Sequence, residues 1–295
     1  MYISAMSHHD HADYKRAFAI GVALNVAFVI VQVVFGIFAH SLALLADAGH
    51  NFGDVLGLIL AWCANYLTKR PASDRRTYGW RRTSIMAALI NAIVLLLTVG
   101  AITLEAVRRF ARAEPVAPNI IVVVAAIGVV LNGITAWLFM RGRERDLNIR
   151  GAFMHMAADA AISAGVVVAG IAISFTGWLW LDSLTSVIIN VIIVIGTWSL
   201  LRDSFNLAMD AVPAHVDLAA VRNYLAALPN VSAVHDLHIW AMSTTQVALT
   251  AHLVIPNESP GDDFLRNVCA HLQNTFGIEH STIQIERNAE ACSLA

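Results

Sequence analysis

Apolar residues run almost unbroken through six stretches of the first two thirds of the chain, near 17–39, 42–67, 84–107, 118–140, 152–176 and 179–201. A helix needs about 20 such residues to cross a bilayer core, so each stretch is long enough to span one. After Arg202 the pattern becomes that of a water-soluble domain, with the join near AMDAVPAHVD. DLAAVRNYLAALP predicts a helix, SAVHDLHIWAMS a strand, and TTQVALTAHLVIP a second strand in which Val247, Leu249, Ala251 and Leu253 share a face. GDDFLRNVCAHLQNTFG predicts a helix opened by an aspartate cap, and HSTIQIER a last strand. The expected architecture is an all-α six-helix transmembrane bundle followed by an αββαβ domain, a two-layer α+β unit of ferredoxin-like or metallochaperone-like type. The sequence divides into an N-terminal histidine-containing tail over 1–16, the membrane bundle over 17–205 and the C-terminal domain over 206–295.

Charge orients this plan. The connection TKRPASDRRTYGWRRT at 68–83 and RGRERDLNIR at 141–150 are basic, and they share a side with Lys15, Arg16 and Arg202. Arg108, Arg109 and Arg112 are a minority on the other side. By the positive-inside rule both termini are expected in the cytoplasm. Only 14% of the 295 residues are charged and 58% are hydrophobic, against about 25% charged in an ordinary soluble domain, so the class is integral membrane protein. A net charge of −2, with basic residues at span ends, gives no footprint for nucleic acid. Cys63, Cys269 and Cys292 form no CxxC pair, which argues against a disulfide framework and a thiolate zinc cluster. The start MYISAMSHHDHADYKR is polar and runs straight into an apolar span, so no cleavable signal peptide is expected.

The second span contains LADAGHNFGDVLGLIL, which places Asp47, His50 and Asp54 within eight residues. An ionisable group at a membrane helix centre costs about 2.5–3.5 kcal/mol on insertion scales, so something must offset it. His50 and Asp54 stand i and i+4, on one helix face, and Asp47 shares that face. The fifth span, in IRGAFMHMAADAAISAGVVV, repeats the spacing with His155 and Asp159. No other histidine lies well inside a predicted span. Packed together, two such helices converge two imidazoles and two carboxylates. Zn²⁺ favours tetrahedral ligation by His and Asp at about 2.0–2.2 Å, and two carboxylates neutralise the dication. Polar pairs also serve simply to hydrogen-bond helices together, but two pairs of matched spacing favour a metal site. Ala46, Ala48, Gly49, Gly53 and Gly57 in one span, with Ala157, Ala158, Ala160, Ala161 and Gly165 in the other, permit close helix contact. Asp47 stays open between a group supporting a ligand from behind, a proton carrier, an outer waiting site and a structural role. Asn25, Gln32, Asn91, Asn132 and Asn190 read as interhelical hydrogen bonders.

SLALLADAGHNFGD, HMAAD, VHDLHIW and HSTIQIE together resemble the cation diffusion facilitator family, close to its bacterial zinc-exporting members, over nearly the whole chain. The resemblance implies a homodimer of six-helix subunits in a bacterial inner membrane, with a cytoplasmic metal-binding domain, and Zn²⁺/H⁺ antiport by alternating access rather than catalysis. Carried over residue by residue, the transport site is His50, Asp54, His155 and Asp159. In the C-terminal domain the family takes ligands from the first two strands and the last. The matching strings assign His235, His252 and Glu286, with His280 next. Strand alternation sends His238 to the face opposite His235, and His215 and His271 read as surface residues. The family pairs a basic residue after the second loop with an acid beyond the sixth span to lock the dimer, and Arg82 with Asp210 fits that pattern. Two loops depart from metal-binding versions of the family: 68–83 carries Asp74 but no histidine, and 141–150 carries none. The cluster His8, His9, Asp10 and His11 reads either as weak metal capture at the entry or as a solvated tail.

The ligand types suit exchange, because protonation competes with metal binding and histidine titrates near neutral pH. An intramembrane metalloprotease would need HExxH, with a glutamate base and an open metal position. Neither histidine has a neighbouring Glu, and four ligands fill a tetrahedral shell. A membrane metal sensor without transport is a second alternative. An organic-cation transporter is a third, against which the paired histidines argue. Cd²⁺ and Co²⁺ share the preferences of this donor set, whereas Mn²⁺ and Fe²⁺ favour more oxygen ligands.

Overall fold

The protein is described by a computed structural model covering residues 8–68, 70–112, 114–140, 147–256 and 260–288. The side chains of His8, His9, Asp10 and His11, residues 141–146 of the second basic connection, and Cys292 lie outside the described residues. Six long helices come first: α1 His8–Phe38, α2 Leu42–Thr68, α3 Thr83–Ala111, α4 Pro118–Met140, α5 Leu147–Thr176 and α6 Trp180–Ala208. Among the described residues, Thr83–Ala111, Pro118–Leu138, Phe153–Thr176 and Trp180–Ala208 are long and apolar enough to cross a membrane, and Ala23–Phe38 is a shorter apolar segment. α1 starts at His8, so residues 8–16, read from sequence as tail, continue the first helix. No glycine or proline interrupts the run from His8 to Ile20.

The chain forms two compact units, Met1–Leu58 with Asn91–Trp198, and Ile59–Ile90 with Ser199–Ala295. In the first, α4 lies along α5, and the core gathers Leu44, Leu95, Val99, Ile121, Val166 and Ile189. Close approach explains the small residues on α2. A Cβ on Gly53 would meet Leu95 Cδ1 at 2.8 Å, so a side chain there has to displace the Leu95 side chain of α3. The start of α2 is capped from a distant helix. Asp182, in the first turn of α6, accepts hydrogen bonds from Ser41 Oγ at 2.5 Å, Leu42 N at 2.6 Å and Ala43 N at 3.3 Å. Ser41 Oγ accepts from Leu44 N at 3.1 Å. These are the orphan donors of a helix N-terminus, satisfied by a buried carboxylate rather than by water. Beside them Arg109 donates to His40 O at 2.6 Å and pairs with Glu105 and Glu114.

The second unit holds α7 Leu218–Ala226, β1 Ala233–Ala241, β2 Val247–Val254, α8 Asp262–Phe276 and β3 Ile278–Glu286, the αββαβ order the sequence predicts. The sheet order is β1-β2-β3, with β1 antiparallel and β3 parallel to β2, the parallel pair joined through α8. Val247, Leu249, Ala251 and Leu253 are all buried, and they pack with Leu225, Leu272 and Ile278. Asp217 caps α7, accepting from Ala219 N at 2.9 Å and Ala220 N at 3.0 Å. The aspartate cap expected for α8 is corrected. Gly261 takes the cap position without a side-chain bond, and Asp262 and Asp263 fall in the first turn, where their charge favours the helix dipole. β1 departs from regular pairing between His235 and His238, and Asp236 there has φ +50°.

Candidate metal centres

The i, i+4 pairs of α2 and α5 meet. His50 Nε2 lies 3.0 Å from Asp159 Oδ1 and 3.9 Å from Asp54 Oδ2. His155 Nε2 lies 3.4 Å from Asp54 Oδ2 and 3.7 Å from Asp159 Oδ2. Each imidazole therefore reaches both carboxylates, and the two rings stand edge to face with centroids 6.1 Å apart. Ligand atoms of His50, Asp54 and Asp159 all lie within 4.8 Å of one another. Asp159 is buried, Asp54 is partly exposed, and His155 is nearly half exposed. The exposed sides open onto a cavity of about 320 Å³ lined by Asp54, His155 and Asp159 together with Asn25, Asn91 and Asn132. Three of the asparagines read from sequence as helix connectors thus line this cavity. Asn190 does bond another helix, donating to Thr103 Oγ1 at 2.8 Å. Two nitrogen and two oxygen atoms, with up to two negative charges, are the donor types that tetrahedral divalent cations favour, and His50, Asp54 and Asp159 form the tighter group, with His155 beside it.

Asp47 is placed differently from the other intramembrane acid groups. It is buried, and its Oδ2 accepts hydrogen bonds from Gln32 and Ser163. Asp182 is a residue that sequence reasoning missed. The rule that singled out Asp47 and Asp54, a carboxylate inside an apolar span, applies to it equally.

The C-terminal domain brings together His235, His252 and Glu286, whose ligand atoms lie within 4.8 Å of one another. The sheet register does this: His235 sits directly across from His252, and Glu286 lies across from Val254 on the neighbouring strand. His235 Nε2 is 2.9 Å from Glu286 Oε2, and His252 Nδ1 is 2.9 Å from Glu286 Oε1. His252 Nδ1 nevertheless makes no aligned hydrogen bond among the described residues, as for donor atoms facing a common point. Burial pushes the Glu286 carboxyl up. The hydrogen bonds from His235 and Gln284 and the charge of His235 and His252 outweigh it, holding the group below its ordinary 4.5. Asp236 was not anticipated. Its Oδ2 lies 3.3 Å from His252 Nε2 and its Oδ1 2.8 Å from His238 Nε2, so it orients the His252 ring from behind. The hydrogen bond to His238 holds Asp236 below the ordinary carboxylate range. Asp236 reaches His252 alongside its chain neighbour His235 because the bulge breaks the strand alternation. His280 stands apart from this cluster, its ring edge-on to Tyr78 at 5.7 Å. In the same unit Arg82 pairs with Asp210, and Thr244 N donates to Ser84 Oγ at 3.0 Å. His271 stacks on Tyr224 with centroids 4.1 Å apart.

Two family models match the chain. One described as the cation efflux transmembrane domain covers residues 18–207, and one described as the cation efflux protein, cytoplasmic domain, covers 213–288. The chain is 37% identical over 280 residues to a metal cation efflux system protein CzcD of Cupriavidus metallidurans, covering 94% of this chain and 89% of that protein. It is 33% identical over 286 residues to a cadmium, cobalt and zinc/H⁺-K⁺ antiporter of Bacillus subtilis, covering 95% and 92%. It is 33% identical over 282 residues to the zinc transporter ZitB of Escherichia coli, covering 95% and 90%.

Proposed function

The chain belongs to the cation diffusion facilitator family, transporters rather than enzymes, and from that premise we propose that it exports Zn²⁺ from the cytoplasm in exchange for protons. It is a multi-pass membrane protein of divalent-cation efflux with a C-terminal cytoplasmic domain. The observation that carries the finer reading is the convergence of His50, Asp54, His155 and Asp159, with each imidazole near both carboxylates. Two nitrogens and two oxygens suit tetrahedral Zn²⁺, and Cd²⁺ and Co²⁺ fit the same donors better than Mn²⁺ or Fe²⁺ do. Metal and protons compete for these atoms. Protons on the release side displace the ion, and cytoplasmic metal displaces protons on the other. The names of the Bacillus subtilis and Escherichia coli relatives support zinc and, for the former, proton exchange.

On this reading α1–α6 are six spans in a bacterial inner membrane, and the basic connections place both termini in the cytoplasm. The chain divides near 205 into the membrane bundle, whose first helix includes residues 8–16, and a ferredoxin-like metal-binding and dimerisation layer over 206–295. The protein acts as a homodimer, and Arg82–Asp210 ties the α2–α3 connection to the segment after α6. His235, His252 and Glu286 take a regulatory zinc ion that draws strands β1, β2 and β3 together at one point. His280, set against Tyr78, is left out of that ligand set.

Zinc flux into proteoliposomes is expected to rise severalfold for each unit by which the receiving side is acidified, since histidine changes charge between about pH 5 and 8. A flux indifferent to pH across that range contradicts proton exchange, and zinc binding without flux favours a sensor. The cytoplasmic assignment is checked by stoichiometry. His252→Ala, in the full chain in detergent, is expected to bind one zinc fewer per chain by elemental analysis while retaining the transport-site ion. An unchanged count contradicts it.

A further inference from the structure

One buried polar cluster lies beside the four candidate ligands. Asp47 is 1% exposed, and Gln32 and Ser163 are fully buried. Asp47 Oδ2 accepts from Gln32 Nε2 at 2.7 Å and from Ser163 Oγ at 3.1 Å, and Gln32 Oε1 accepts from Asn51 Nδ2 at 2.9 Å. The cluster therefore stitches α1, α2 and α5 together. Asp47 Oδ1 is buried with no hydrogen-bond partner among the described residues.

Along the helices, Asp47, Gln32 and Ser163 lie nearer the α1–α2 turn than the four side chains they flank, and the cavity lies on the other side, touching the cluster at Asn51. On α2 the cavity is lined by residues from Asn51 to Leu58, toward the basic 68–83 connection, whereas Asp47 lies toward the α1–α2 turn. On α5 the cavity touches His155, Met156 and Asp159, near the end entered from the basic 141–150 connection, whereas Ser163 lies a turn farther on. On α1 it touches Asn25, and Gln32 is two turns nearer the α1–α2 turn. Asn91 on α3 and Asn132 on α4 fall on the basic-connection side by the same reckoning. Beyond the cluster, Ala43, Leu44 and Val166 are at most 1% exposed.

We propose that Asp47, Gln32 and Ser163, with Asn51, form the outer gate, a hydrogen-bonded lock that closes the side of the α1–α2 turn while the cavity is open and parts to release the ion. This rests on the alternating-access reading above. An apolar seal would close as well but would leave a dry barrier when parted. A carboxylate held by only two donors, with one oxygen unsatisfied, keeps the closed form shallow. Once the helices separate, the same carboxylate is solvated and lines the exit with the charge that suits a departing dication. Asp47 and the donors to it are thus positioning residues rather than ligands.

The test uses Val166→Cys, one turn beyond Ser163, in a full-length chain with Cys63, Cys269 and Cys292 replaced by alanine. Right-side-out membrane vesicles are treated with a membrane-impermeant methanethiosulfonate, and zinc binding is read by calorimetry on the same purified variants. Asp47→Ala and Gln32→Ala are expected to speed labelling by roughly tenfold or more, the population shift that losing one such hydrogen bond brings. Ser163→Ala, the mildest change, is expected to move labelling the same way. Asp47→Asn keeps an acceptor for Gln32 or Ser163, so the introduced thiol is expected to stay protected and zinc affinity to stay within about threefold of the parent. Labelling that does not respond to any of the alanine changes overturns the lock. So does Asp47→Asn labelling as fast as Asp47→Ala, or Asp47→Asn losing zinc binding, which would make Asp47 a ligand. Absence of zinc flux in the parent counts against the proposed function alone, because labelling reads the gate without it.

Discussion

Asp159→Ala and Asp54→Ala are each expected to lower zinc flux into proteoliposomes by about a hundredfold or more, with Asp159→Ala the more severe. A hundredfold corresponds to about 2.7 kcal/mol, which is modest for the loss of one charged ligand in a low-dielectric site. Either change leaves a dication facing a single carboxylate and an incomplete tetrahedron. Asp159 is the more consequential because it is 2% exposed and hydrogen-bonds His50 Nε2 at 3.0 Å. Its removal frees the imidazole as well as deleting a ligand. Asp54 is partly exposed and faces His155 across 3.4 Å, so water can partly replace it. Initial rates over a range of zinc concentrations, with protein orientation and incorporation matched, check this. Wild-type rates in both variants would remove the four-ligand site from consideration.

The second large effect is on folding. Asp182→Ala is expected to destabilise the protein by about 2–4 kcal/mol, because it strips acceptors from Ser41 Oγ, Leu42 N and Ala43 N in a buried place, where each unpaired donor costs about 1–3 kcal/mol. Relief from burying a carboxylate offsets part of the sum. Asp182→Asn retains an acceptor oxygen and is expected to fall between alanine and wild type. The check is thermal unfolding of the metal-free protein in detergent, with a fall in Tm that added zinc only partly restores. A Tm indistinguishable from wild type for the alanine variant would mean that α2 is capped by other means.

What sequence could reveal follows from how local each signal is. Long apolar runs and the period of the helix made α2 and α5 and the faces of His50, Asp54, His155 and Asp159 legible, because both patterns are written within a single segment. The meeting of the two faces is a tertiary fact, and it was accessible only because the same costly pair appears twice. Asp182 stands out in sequence as a carboxylate inside an apolar span, but its capping role does not, since its partners include backbone N–H groups about 140 positions away, which leave no trace in side-chain pattern. Asp236 went unread for another reason. The bulge that turns it toward His252 and His238 depends on β2 pairing, and simple alternation misassigned that part of β1. The α8 cap falls one position before the aspartate: glycine and aspartate both serve at helix starts, and Gly261 takes the cap. His280 shares a strand with Glu286, but its ring lies against Tyr78 of the α2–α3 connection.

On the proposed function, α2 and α5 clasp one divalent ion between two imidazoles and two carboxylates. Crystals of the full chain grown with zinc, measured on both sides of the zinc absorption edge, test it with the least inference. A single anomalous peak is expected within the membrane helices, about 2.0–2.2 Å from His50, Asp54, His155 and Asp159. A membrane-embedded peak bound by other residues, with these four side chains turned away from it, would contradict the claim.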